Sequence, residues 1–174
     1  MLVRRLDFHP ERRKTMAAVQ ERTIALTSVP EPVHFPVTHY IFIEKRGDIP
    51  VHAQQAWSEL QSKVPAIMQN NTILGFLSLY KMKDGIYRAG VSVAAPPKSL
   101  PDGLTYQKFV GGKYRKFVLR GPYTQLAEAC GMAFKMIIDS GTRLRDDFGI
   151  ERYVNDPQTT PEDQLITEIL FPIE

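Results

Sequence analysis

The chain can be laid over itself. An offset of 74 residues places Tyr40 on Tyr114, Gly47 on Gly121, Ala53 on Ala127 and Gly75 on Gly149, so a strand, a glycine turn, a helix and a second strand recur in order. Each helix so placed carries a single apolar stripe, and such a stripe needs a sheet to cover it. The pattern predicts an α+β fold in which duplicated β-α-β-β units form one joined antiparallel sheet, with both helices on one face and the other face bare.

Local signals place the elements. In the first half, residues 38–45 alternate as a strand and Arg46-Gly47-Asp48 turns the chain. Ala53, Ala56, Trp57, Leu60 and Val64 then mark a helix over 51–64, which Pro65 and Asn70-Asn71 bring to an end. Residues 72–80 and 86–94 read as strands about the tight turn Lys83-Asp84-Gly85. Three prolines between Ala95 and Gly103 make a stiff linker that cannot pair in a sheet. In the second half, a short strand over 104–109 and a strand over 113–119 lead to a helix opened by Gly121-Pro122 and running to about Asp139. Strands over 148–155 and 164–171 finish the unit. The domain is thus expected over 23–174, with halves of about 23–95 and 104–174 around the linker 95–103. Residues 1–22 read as a leader extension, 16–28 hold enough apolar residues for an edge strand, and Pro30, Pro32 and Pro36 make an extended arm.

Composition narrows the function classes. The one cysteine, Cys130, excludes an intramolecular disulfide and a zinc cluster, and its place on an apolar helix face reads as a packed thiol. No apolar run is long enough for a signal peptide or a membrane span, so a cytoplasmic protein without a membrane partner is expected. A net charge of +3 with scattered basic residues gives no stripe for nucleic acid. No His-x-x-x-His, nucleophile elbow, phosphate loop or dinucleotide fingerprint occurs, and His9, His34, His39 and His52 draw no ligand cluster. Neither a metal nor a cofactor is expected.

The stretch Gly149 to Pro157 alternates as a strand, with Glu151 and Tyr153 on one face, until Asn155-Asp156-Pro157 stops it. Together with Gly121-Pro122-Tyr123 before it and the closing ITEILFPIE, it resembles the GyrI-like effector-binding domain, the ligand-sensing module of AraC-type and MerR-type multidrug regulators. The resemblance covers roughly residues 23–174 and is most specific in the carboxy-terminal half. It implies an SHS2-like arrangement whose ligand cleft occupies the bare concave face, with Glu151 at the floor of an aromatic cleft that meets cations. Parity and the offset make Leu77 and Leu79 the counterparts of Glu151 and Tyr153, so the cleft is expected to hold one acid. Tyr40 and Tyr114, partners under the offset, suit a flat ligand gripped from two sides. Tyr87, Trp57 and Phe42 complete the candidate set and Tyr80 is a weaker member, core packing being the alternative for each aromatic. Arg152 and Glu168 are read as outward or bridging.

Three functions from different classes follow. The first is a stand-alone protein that binds lipophilic, aromatic or cationic small molecules by cation–π contact and charge neutralisation, as a sensor or sequestering protein. It would act in transcription regulation without binding nucleic acid itself, since no helix-turn-helix fits before Thr23. The second, implied by the resemblance, is a hydrolase of cyclopropane-bearing alkylating natural products, with Glu151 as the catalytic general base on a water. The third is a gyrase inhibitor-type module that binds protein. A monomer and a homodimer both fit.

Overall fold

The computed structural model describes residues 23–174, and the expected leader over 1–22 lies outside the described residues. Two short strands come first, β1 (Ala25–Leu26) and β2 (Glu31–Phe35). The first half then runs β3 (Thr38–Arg46), α1 (Ile49–Asn70), β4 (Ile73–Lys81) and β5 (Ile86–Val93). After the proline-rich connection come β6 (Thr105–Phe109) and the second half: β7 (Gly112–Arg120), α2 (Leu126–Asp139), β8 (Gly149–Tyr153) and β9 (Ile166–Pro172). No described helix is long and apolar enough to cross a membrane.

Three local readings change. The arm of prolines is a strand, because Pro32 sits on an edge where its missing N–H is not needed, and β2 pairs with β7 from Glu31 opposite Lys116 to Phe35 opposite Gly112. Pro65 lies inside α1 and does not end it. The helix continues to Asn70 because Ile67 is fully buried one half-turn further on, and the Asn71 amide donates to the Ile67 carbonyl. That burial offsets a break worth about 3 kcal/mol. The β4–β5 turn is a 3₁₀ turn, Met82–Asp84, closed by Gly85 at φ 59°, a left-handed conformation that favours glycine.

All nine strands join one antiparallel sheet in the order β1-β7-β9-β8-β4-β5-β3-β6, with β2 on the same edge of β7 as β1. The halves meet where β4 pairs with β8, Ser78 opposite Glu151. Residues opposite each other share a face, so one row runs through Ile43, Ala89, Ser78, Glu151, Ile169 and Phe117. Its outer members are core and its two central members are polar. α1 buries Ala56, Leu60 and Ile67 against Ile41, Ile43, Ala89 and Val91 at one end of this face. α2 buries Ala129, Ala133 and Ile137 against Phe117, Leu119 and Ile169 at the other. Both helices therefore stand on the same face, and Glu151 lies in the sheet between their two cores.

The opposite face is not bare. The sheet curls until Phe35 of β2 meets both Phe109 of the far edge strand and Tyr114 of β7, each at a centroid distance of 6.0 Å. Tyr40, Phe42, Leu77, Leu79, Ile150 and Leu170 fill the inside of that curl.

Candidate functional site

Glu151 enters the site through strand parity. β8 has only five residues, and its central one points up between the helices while Ile150 points down into the curled core. Gly149, two residues earlier on the same face, is required by a neighbour: a Cβ there would sit 2.7 Å from the Tyr80 ring. Its absence lets that ring lie across β8 beside Cys130 of α2.

The carboxylate is buried, at 9% exposure, and is held by donors. The Tyr153 hydroxyl donates to Oε2 at 3.0 Å, and the Cys130 thiol lies 3.6 Å from Oε1. Behind Tyr153 the contacts continue to Ser78 Oγ at 3.2 Å, from Ser78 to the Tyr87 hydroxyl at 2.6 Å, and from Tyr87 to Trp57 Nε1 at 2.8 Å. The direction of this chain is set by its ends. An indole N–H can only donate and an ionised carboxylate can only accept, so with one hydrogen per hydroxyl every group passes its proton toward Glu151. Trp57, Tyr87, Ser78 and Tyr153 thus form a row of dipoles aimed at a negative charge.

Two effects oppose each other on that charge. Burial pushes the Glu151 carboxyl above its ordinary value of 4.5, and donation from Tyr153 and Cys130, reinforced by the Ser78 and Tyr87 hydroxyls behind them, pulls it back without cancelling the rise. Among the described residues no cation pairs with it; Arg152, its sequence neighbour, points to the other face and binds Glu168 at 2.6 Å. Glu44 on that other face makes the contrast. Burial raises it too, yet Arg88 at 2.7 Å and Arg46 at 2.8 Å hold it below 4.5. Burial, with Glu151 next, likewise lifts the Cys130 thiol and the Tyr87 and Tyr153 phenols, so all three stay protonated.

Aromatic rings wall the cluster. Trp57 meets Tyr153 edge-on at 5.0 Å and Phe76 at 6.4 Å, while Tyr123, from the 3₁₀ turn before α2, meets Tyr153 edge-on at 5.3 Å. Two buried hydroxyls on this face, Tyr80 and Thr167, have no hydrogen-bond partner among the described residues. Each such group costs about 1–3 kcal/mol, which a ligand's polar group or a water would recover. At the sheet end beside Phe76 and Tyr153 opens a groove of about 500 Å³, rimmed by Val37, Leu74, Arg152 and Val154. No group of three or more potential metal ligands gathers among the described residues.

The structure brings together Glu151, Tyr153, Tyr87 and Trp57, with Tyr80 beside them. It separates Tyr40, Tyr114 and Phe42, which lie on the other face. The Tyr40 hydroxyl donates to the Leu77 and Arg88 carbonyls and its ring stacks on Phe42 at 5.1 Å. The Tyr114 hydroxyl donates to the Phe148 carbonyl. These three rings are packing of the curled core, so the polar-aromatic cluster stands on the helix-bearing face and not on the face expected to be bare. Leu77 and Leu79 also point away from Glu151; its neighbour across the halves is Ser78. Ser78, Phe76, Tyr123 and the Cys130 contact were missed, although a lone serine in the run Phe76 to Tyr80 was a signal. Glu168 bridges Arg152 and Lys116, as read from sequence.

The description "GyrI-like small molecule binding domain" matches residues 29–174 of the chain at the family level. Among solved structures, EcmrR in complex with DNA is 17% identical with a TM-score of 0.67, the match covering 88% of this chain but only 59% of that one. The structure of SAV2435 bound to tetraphenylphosphonium is 15% identical with a TM-score of 0.63, covering 83% and 93%. A hydrolase from Listeria innocua is 12% identical with a TM-score of 0.52, covering 84% and 92%. No curated protein sequence matches the chain.

Proposed function

The chain belongs to the GyrI-like small molecule binding domain family, and from that premise we propose that the cluster between α1 and α2 binds lipophilic, aromatic cations, with Glu151 as their counter-charge. What supports the reading is Glu151 itself: a buried carboxylate with a prealigned row of donors and no cationic partner among the described residues. Such a site favours the anion geometrically while its burial disfavours it, and a cation without strong hydration resolves the conflict. The ring faces of Trp57, Tyr153, Phe76 and Tyr123 supply cation–π contact. SAV2435 with its tetraphenylphosphonium is a same-fold precedent for the ligand class. The protein then acts as a sensor or sequestering protein, with the small molecule and not DNA as its direct partner.

The hydrolase reading has a weaker footing. Both carboxylate oxygens already accept from Tyr153 and Cys130, and the Tyr153, Ser78 and Tyr87 hydroxyls are committed to the row that donates toward Glu151, so none of them is left to accept from a water beside it.

The chain's one tryptophan lies in the cluster and reports binding directly. Tetraphenylphosphonium should quench Trp57 emission saturably, and Glu151→Gln should weaken that binding about 10- to 100-fold while leaving neutral tetraphenyl compounds nearly unchanged. Equal cation affinity in the two proteins would overturn the assignment.

A further inference from the structure

We propose that Cys130 is a covalent capture site for soft carbon electrophiles, α,β-unsaturated carbonyl compounds in particular, with Glu151 taking up and returning the thiol proton. The thiol is half-buried and its Sγ lies 3.6 Å from Glu151 Oε1, which places a nucleophile beside a base. A second observation points to a ligand. The Tyr80 hydroxyl is buried beside the same thiol and makes no hydrogen bond among the described residues, so a donor is already in place for an oxygen that develops negative charge. Exposed apolar side chains flank the thiol on the helix. Phe134 and Ile138 follow Cys130 at i+4 and i+8 on the same side of α2, and both stay exposed, at 47% and 51%.

The step balances within these groups. Sγ bonds to the β-carbon as its proton passes to Glu151 Oε1, and the displaced π electrons form an enolate whose oxygen accepts from Tyr80. Glu151 then returns the proton to the α-carbon, leaving a thioether and the carboxylate as it began. No oxidant or further reactant is needed. The ionisable groups facing this thiol are Glu151 of β8 and Tyr80 of β4. Burial and the carboxylate hold the resting thiol protonated, which keeps it inert to solvent-borne reagents and makes base assistance decisive.

The test is addition of an uncharged aryl vinyl ketone to the whole protein, followed by intact mass and peptide mapping. One adduct on Cys130 is expected and none in Cys130→Ser. Because the proton leaves to Glu151 and not to water, the wild-type rate should stop rising once Glu151 is ionised and stay level from there to about pH 8.5. Glu151→Gln should slow it about 100-fold, and its residual rate should rise about tenfold per pH unit, as for a free thiol. Tyr80→Phe should slow addition several-fold. No adduct on Cys130, equal rates in wild type and Glu151→Gln, or a wild-type rate that keeps rising tenfold per unit to about pH 8.5 without levelling off would each overturn the proposal. If Glu151→Gln does not fold, the wild-type pH profile decides alone. The probe carries no charge, so Cys130 labelling without tetraphenylphosphonium binding would remove the cation reading and leave this one standing.

Discussion

Trp57 fixes the direction of every proton between α1 and Glu151, although three hydroxyls separate the ends of that row. Without the indole N–H the row can reverse, since Tyr87 is then free to be either donor or acceptor to Ser78, and the reversed row stabilises a protonated Glu151. Trp57→Phe should therefore raise the Glu151 pKa further, and Tyr153→Phe, which removes the direct 3.0 Å donor, should raise it more. Carboxyl carbon shifts of labelled Glu151, followed through an acid titration, measure both. Unchanged titration in both variants would show that the row does not reach the carboxylate. The cost of Tyr87→Phe to folding should be about 1 kcal/mol or slightly more, because Trp57 Nε1 and Ser78 Oγ both lose a partner in a buried place.

At the scale of elements, the offset that paired Gly75 with Gly149 makes a test of the halves. A strict repeat predicts the same cost for alanine at both. In the structure they differ: a Cβ on Gly75 meets only Ser92 Oγ at 3.5 Å, while one on Gly149 meets the buried Tyr80 ring at 2.7 Å and 2.8 Å. Gly149→Ala should destabilise by about 1–3 kcal/mol and Gly75→Ala by well under 1 kcal/mol, read from urea midpoints. The same pair shows what was legible. Strand, helix, strand and strand in each half could be read from apolar spacing, and so could both helices on one face, because each helix has one stripe to bury. The parity between halves could not. The first strands keep an even offset, with Tyr40 and Tyr114 on one face, whereas Ser78 shares its face with Glu151 and Leu77 does not. A difference of one residue in a connection turns a whole strand over, and nothing in the sequence counts that residue. Tyr40, Tyr114 and Phe42 were misplaced for a related reason: the curl that buries them depends on Phe35 meeting Phe109 and Tyr114, contacts far apart in sequence.

Across the whole molecule the site joins the halves, with Trp57, Ser78 and Tyr87 from the first and Glu151, Tyr153 and Cys130 from the second. Anything bound there stabilises both together, and the pH dependence of that gain follows from Glu151. In the free protein its pKa is raised by burial, so folding favours the protonated acid; that contribution is full below 4.5 and is lost as pH rises through the folded-state value. A bound cation reverses the preference, because it stabilises the carboxylate, and binding then releases a proton wherever the free site is still protonated. The stabilisation by tetraphenylphosphonium should accordingly grow with pH up to the folded-state value of the free site and level off above it. At a ligand concentration about 100 times Kd it should approach about 2.7 kcal/mol, seen as a rise in Tm of one cooperative transition. Glu151→Gln should give a smaller rise with no pH dependence. Thermal melts of both proteins, with and without ligand from about pH 4 to about pH 8, make the comparison. A ligand-induced rise that is the same at every pH in the wild-type protein would mean that the cation does not meet Glu151.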